Sequence, residues 1–401
     1  MNDPRAERLR RLPPYLYMEI RRKTREAQAR GIDVISLGVG DPDRPTPDHI
    51  ISALVEAAGK PENHRYPTDE EKGMRAFRES VAGWYGRRFG VDLDPDGEVV
   101  ALIGSKEGNH HLALAVLDPG DVAIIPDPGY PAYLASAIFA GAEVVRVPLR
   151  PENDFVLDIN DLGDELGRRA RLLWLSYPNN PTTAVVDVPF FERVVAWARR
   201  NDVVVVNDNP YSEIAFDGVR IPSILEADGA RDVAIEFNSL SKPYNMTGWR
   251  IGMAVGNREL VGAIAQVKEN TDSGVFNAVQ YAGIAALDGP QDAIAANLEV
   301  YRRRRDLVVD TLRSVGLALD RPKATFYVWA PIPPGLGSIE YAGRLLDLTG
   351  VVVTPGIGYG QMGEGYVRLS LSVPDARLAE AMDRLSSARH ELAALPATAA
   401  G

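Results

Sequence analysis

Between about residues 48 and 289 the chain alternates short β-branched and aliphatic runs with stretches of helical character. Six runs read as strands: VVALI (99–103), VAIIP (122–126), VVRV (144–147), RLLWLS (171–176), VVVVND (203–208) and AIEFNSL (234–240), with IGMAV (251–255) as a seventh. They are almost continuously apolar, the pattern of strands covered by helices on both faces. Their alternation with helices predicts an α/β fold: a large domain whose mostly parallel seven-stranded sheet lies in three layers. A long helix near 290–315 then leads to strands near FYVWAP (326–331), VVVTPG (351–356) and YVRLSLS (366–372), and a closing helix spans 374–394. The predicted organisation is an arm and part of a small domain (1–47), the large domain (48–289), a small α+β domain (290–395) and an Ala-rich tail (396–401) expected to be disordered.

Ligands of open α/β sheets bind beyond the carboxyl ends of the strands, so the residues that follow each run are the place to look for chemistry. VVALI is followed by GSKEGNHH, a turn opening a helix whose free N–H groups would attract a phosphate and which carries Ser105, Lys106 and Glu107. VAIIP leads to Tyr130, RLLWLS to Asn179 and Asn180, and VVVVN to Asp208 and Tyr211. AIEFN enters SLSKPYNMTGWR, which brings Ser239, Ser241, Lys242 and Arg250 close together. Taken singly these residues have plain structural readings: Asp208 as a helix cap, Asn180 as a turn residue, Tyr130 as packing. Their successive arrival at five strand ends favours a shared site.

That site has the chemistry of a phosphorylated aldehyde, pyridoxal 5'-phosphate (PLP). Lys242 can form a Schiff base, and Ser239, Ser241 and Arg250 can supply hydrogen bonds and positive charge to a phosphate. Asp208 can keep the pyridine nitrogen protonated, Asn180 and Tyr211 can bond the phenolate oxygen, and Tyr130 can stack on the ring. The cofactor supplies the electron sink, the protein its anchoring and electrostatics. Lys242, released by an incoming amine, can then act as general base if its pKa is depressed.

Composition removes competing classes. The net charge is −11 and the basic residues are scattered, so nucleic-acid binding is not expected; the Arg302–Arg305 run reads as a solvated or ion-pairing helix face. Cysteine is absent, which excludes disulfides, thiolate catalysis and Cys-based zinc sites. His110 and His111 point about 100° apart on a helix, with no partner acid evident, so no metal is expected. The N-terminus lacks the apolar core of a signal peptide and no segment reads as a membrane span, making a cytoplasmic location the default expectation. Only seven lysines stand against 37 arginines, which narrows the Schiff-base candidates.

The segments LGVGDPDRPTP, GSKEG, PDPGYPAY, YPNNPT, YSEIAFDG, SLSK and YNMTGWRIG, spread over nearly the whole chain, resemble the fold-type I PLP enzymes, class I/II aminotransferases, in particular the LL-diaminopimelate aminotransferase-like branch. The resemblance implies a homodimer with two shared active sites, Tyr66 reaching the partner's phosphate, and SGVFN (273–277) bringing pocket residues across the interface. It also implies Gly40 beside the substrate carboxylate and Arg368 as its bidentate clamp; without it, Arg368 on an alternating strand reads as a surface residue.

Four positions depart from the family pattern. Thr183 replaces the glycine of NPTG, and Pro243 follows the lysine where threonine is common, which predicts an extended Lys242. The segment after Tyr66 runs about two residues longer, and Asn109 replaces the apolar residue after GSKEG. The leading expectation is transfer of an α-amino group from an amino acid to a 2-oxo acid, with Lys242, Asp208 and Tyr211 as catalytic residues. The departures motivate an alternative, a PLP-dependent elimination, cyclisation or oxidation of an amino acid such as an arginine derivative. A regulator would need a DNA-binding domain, and barely 45 residues precede the fold, without a helix-turn-helix pattern. A nicotinamide dehydrogenase would need a glycine fingerprint that GSKEGNHH lacks.

Overall fold

The computed structural model describes residues 4–13, 16–67, 69 and 71–393; the tail at 396–401 lies outside them. Among the described residues twelve strands form three sheets. A short strand β1 (Ile35–Ser36) precedes the large sheet, which is built from β2 (Val99–Leu102), β3 (Val122–Asp127), β4 (Glu143–Pro148), β5 (Ala170–Leu175), β6 (Val204–Asp208), β7 (Ala234–Ser239) and β8 (Gly252–Gly256). Then come β9 (Tyr327–Pro331), β10 (Val351–Val352), β11 (Thr354–Pro355) and β12 (Tyr366–Ser370).

All seven predicted strands of the first region are present, in spatial order β2-β8-β7-β6-β5-β3-β4. Strand β8 alone runs against the others, antiparallel to both β2 and β7. Strand pleating splits each apolar run between two cores. Val99, Ala101, Ile124, Leu173 and Val205 face one layer of helices; Val100, Leu102, Ile125, Trp174 and Val206 face the other. This two-sided burial explains the absence of a polar face in the sequence. Strand β4 is a partly exposed edge, and its charged residues fit that position.

A third core joins the C-terminal strands and helices to Ile35 and Leu37. There β11, β12 and β9 form an antiparallel sheet, while β1 pairs in parallel with β10. The Arg302–Arg305 run lies on the helix Asp292–Ser314 and divides by face. Buried Arg304 donates to both carboxylate oxygens of Asp43 (2.7 and 2.9 Å), to Asp375 (2.6 Å) and to the carbonyl of Leu371 (2.9 Å). Buried Arg305 pairs with Asp217 at 2.6 Å. Arg304 thereby fastens the Gly-Asp-Pro loop after β1 to the C-terminal region, which fixes where Gly40 sits.

The turn after β5 carries the departure at Thr183. Asn179 Oδ1 accepts from the backbone N–H (3.0 Å) and hydroxyl (2.9 Å) of Thr182, and the Thr183 N–H donates to the Asn179 carbonyl at 3.0 Å. This closure places Thr183 at φ +67°, a left-handed conformation strained for a β-branched residue. Thr183→Gly is therefore expected to raise unfolding stability by about 1 kcal/mol, the relief of strain exceeding glycine's entropy cost. Urea titration of the cofactor-stripped protein checks this; a lower midpoint would contradict the strain.

Candidate active site

A cavity of about 310 Å³ opens at the carboxyl ends of β3, β5, β6 and β7. Ser105, Lys106, Ser239, Ser241 and Arg250 line it, as do Gly40, Asn180, Tyr211, Tyr130, Asp208 and Lys242. The structure thus brings together eleven of the fourteen residues singled out in the sequence. Arg368 lies directly behind the lining; Tyr66 and Glu107 lie elsewhere.

The helix Ser105–Val116 starts at Gly104, whose φ of +100° and lack of a capping side chain leave the first turn open to an anion. A β-carbon at Gly104 would also press on Nη2 of Arg250, so the guanidinium would have to move aside. Arg250 itself turns at φ +58° into β8. Because β7 and β8 are antiparallel neighbours, this turn returns the guanidinium to the sheet end occupied by Ser239 and Ser241.

Asp208, at the end of β6, is 3% exposed. Its Oδ2 accepts from Asn109 Nδ2 and from the Tyr133 hydroxyl, both at 3.1 Å. Its Oδ1 is buried with no hydrogen-bond partner. Burial pushes the carboxyl up to about 6, against the donors Asn109, Tyr133 and Ser105. A buried acceptor without a donor is costly, and the cavity is where a ligand N–H can approach it.

Lys242 sits in a turn, not the extended geometry expected from Pro243. Two backbone bonds, Tyr244 N–H to Leu240 O (3.3 Å) and Met246 N–H to Ser241 O (3.1 Å), impose the turn. Its ammonium donates to the Gly40 carbonyl at 2.9 Å and lies 5.5 Å from the Phe326 ring centre. Burial first, then the Arg368 and Arg250 charges, lower its pKa to about 8, against a pull from Asp41.

Fully buried Arg368 stands on β12, its Nη1 donating to Asn180 Oδ1 (2.7 Å) and its Nη2 to the Gly38 carbonyl (2.9 Å). Its guanidinium carbon lies 3.9 Å from the Tyr327 ring centre. The hydroxyls of Tyr327 and Tyr211 are 3.2 Å apart. A β-carbon on Gly40 would meet the Tyr327 hydroxyl at 2.0 Å, so only glycine lets the loop approach.

Glu107 is a correction: it does not line the cavity. Its Oε2 accepts from the Ile103 N–H and its Oε1 from buried Lys268, each at 2.5 Å. Helical rotation carries it away from Ser105 and Lys106. His111 also has the acid neighbour not evident in the sequence, Glu107 at 3.1 Å, with Asp272 alongside. The Lys268 ammonium occupies that position, 3.1 Å from Asp272. Tyr66 is 81% exposed on the outer surface. Sequence reasoning missed Tyr133 and Tyr327, and read Asn109 as a departure whose side chain, with Lys106 and Glu107, would reach the distal end of a polar substrate, whereas it bonds Asp208 and Trp174. PDPGYPAY holds two tyrosines one helical turn apart, and that spacing was the available signal for Tyr133.

Residues 32–385 match the family model for aminotransferase class I and II. The chain belongs to the class I and II aminotransferases. It is 54% identical over 380 residues to the LL-diaminopimelate aminotransferase of Moorella thermoacetica, covering 95% of this chain and 97% of that one. It is 55% identical over 385 residues to the enzyme of that name from Desulforudis audaxviator, covering 96% and 98%. Among solved structures it resembles substrate-bound BacF from Bacillus subtilis (TM-score 0.92, 34% identity, all of both chains). It also resembles a single mutant of Thermus thermophilus aspartate aminotransferase (TM-score 0.89, 30% identity, 96% of this chain and 99% of that one). The fold is accordingly fold-type I, and the enzyme is a PLP-dependent aminotransferase with amino-acid and 2-oxo-acid substrates. Elimination, cyclisation and oxidation are not favoured by these relatives. No helix among the described residues is long and apolar enough to cross a membrane.

The residues of this aminotransferase fit PLP on their own geometry. The donor-free Asp208 Oδ1 suits a ring N–H, the open helix end beside Arg250 suits a dianion, and the buried amine of Lys242 suits an aldehyde. Only neutral amine condenses with an aldehyde, so PLP capture by the stripped enzyme is expected to quicken as pH rises and level off above about 8. Stopped-flow absorbance against pH checks this; a rise continuing to the ordinary lysine value of 10.5 would mean an unperturbed amine.

Proposed function

We propose that this aminotransferase takes the amino group of LL-diaminopimelate and passes it to a 2-oxo acid. The carrying observation is identity above one half, over nearly full length, to enzymes of that name. When bound, PLP supplies the electron sink. In our reading Ser105, Lys106, Ser239, Ser241 and Arg250 hold its phosphate, and Asp208 holds the proton on its ring nitrogen. Asn180 and Tyr211 bond its phenolate oxygen, and Tyr130 covers its face. Lys242, tethered to Gly40 and lowered in basicity, moves the substrate's α-proton. Arg368 and the Gly40 loop receive the substrate's carboxylate in a dry pocket, where a bidentate pair is strong.

The same proposal includes a homodimer. Large apolar side chains stay exposed on mutually packed elements: Ile51 and Val55 on the helix Asp48–Ala58, Phe276 and Tyr281 at and along the helix Asn277–Asp288, and Tyr66 just beyond Pro61–His64. A contiguous patch of this kind marks an interface, and a partner seated there would receive Tyr66 at its phosphate. The domain division at 48–289 and 290–395, with 1–47 shared, is retained as a proposal supported by the separate C-terminal core. A cytoplasmic location rests on the sequence reading alone.

Purified enzyme given LL-diaminopimelate and 2-oxoglutarate is expected to form glutamate, and Lys242→Ala to form none and to hold no borohydride-reducible PLP adduct. Turnover of other amino donors with none of LL-diaminopimelate would sink the substrate assignment. Arg368→Leu is expected to raise the KM for the amino donor by about a hundredfold, since a buried ion pair would be lost, while PLP binding persists. Steady-state kinetics and cofactor titration check both halves.

A further inference from the structure

We propose that Asn109, locked by Trp174, is a positioning residue for the cofactor's ring nitrogen: together with Tyr133 it fixes one oxygen of Asp208 so that the other faces the cavity. The inference rests on the assignment of Asp208 to that nitrogen made above. Asn109 is completely buried in the second turn of the helix Ser105–Val116. Both of its amide hydrogens are used, one on Asp208 Oδ2 at 3.1 Å and one on the Ser105 carbonyl at 3.0 Å. Its Oδ1 accepts from Trp174 Nε1 at 2.8 Å. An indole N–H can only donate and a carboxylate accepts, so the amide has one permitted orientation.

Three elements thus converge behind Asp208. The helix Ser105–Val116 gives Asn109, the helix Pro131–Ala140 gives Tyr133, and β5 gives Trp174, whose ring stacks on Tyr133 at 6.1 Å. The groups that act on the carboxyl are the neutral donors Asn109, Tyr133 and Ser105, set against burial. No charged residue shares that role, so each donor matters to ionisation. The family resemblance implies an apolar residue at position 109. Such a side chain would leave the Trp174 N–H without its acceptor and Oδ2 with one donor fewer.

The test compares equilibrium binding of PLP and of a carbocyclic analogue whose ring nitrogen is replaced by C–H, using cofactor-stripped full-length protein. The wild type and Asp208→Ala, Asn109→Leu and Trp174→Phe variants are measured. Wild type is expected to prefer PLP and Asp208→Ala to lose the preference. Asn109→Leu is expected to weaken PLP by about tenfold, one charge-assisted hydrogen bond, while binding the analogue as wild type does. Trp174→Phe should shift the preference the same way by less, and it keeps the idea testable if Asn109→Leu fails to fold. The pH above which PLP is preferred to the analogue, set by ionisation of Asp208, should also move upward in Asn109→Leu. Equal weakening of both ligands would mean that Asn109 shapes only the phosphate turn, and no change would mean that it only packs; either result overturns the proposal. Persistence of the preference in Asp208→Ala would remove the assignment beneath it, and the proposal with it.

Discussion

A carboxylate buried at the tip of a central strand, with donors on one oxygen and none on the other, is the constraint around which this molecule is organised. Asp208 is tolerable in the interior because Asn109 and Tyr133 bond Oδ2, yet its Oδ1 remains without a partner. Burial disfavours ionisation there, and on the proposed assignment a protonated ring nitrogen facing Oδ1 would favour it. Cofactor binding and carboxylate ionisation are therefore linked, each promoting the other. Continuous apolar strands on both sides of β6 leave the cavity as the open side of that carboxylate.

The catalytic amine belongs to a different balance. Lys242 is supplied by the large sheet, but its bond partner, the Gly40 carbonyl, comes from the loop that Arg304 fastens to the C-terminal region. Arg368, on the second sheet, reaches across to Asn180, beyond β5 of the first. On the proposed assignment, substrate recognition is thus assembled between two sheets, whereas the anchoring groups gather around one. The short distance from Gly40 to Tyr327 explains why the intervening loop cannot carry a side chain at that position.

Much of this was legible in the sequence because strands buried on both faces announce themselves, and because the residue after each strand is placed by topology. What escaped was whatever depends on rotation or on distant partners. Glu107 shares a motif with Ser105 and Lys106, yet two helical steps send it to Lys268, 161 residues away. Asn109 stood out as a departure, but its meaning needed Trp174 and Tyr133, which approach only once β5 and two helices are packed. Arg368 reads as a surface residue on an alternating strand, and only the layer formed by Gly38, Tyr327 and Asn180 buries it. Pro243 suggested an extended lysine, but two backbone bonds around it close a turn.

The reversed strand β8 has a consequence of its own. Since Arg250 leads into a strand running against β7, the serines and the arginine form the two sides of one hairpin rather than meeting across separate layers. Relative displacement of the two sheets would tear the carboxylate grip apart while leaving this hairpin whole. On the reading proposed above, an amino-acid product can therefore depart while the vitamin-derived passenger stays moored to the hairpin.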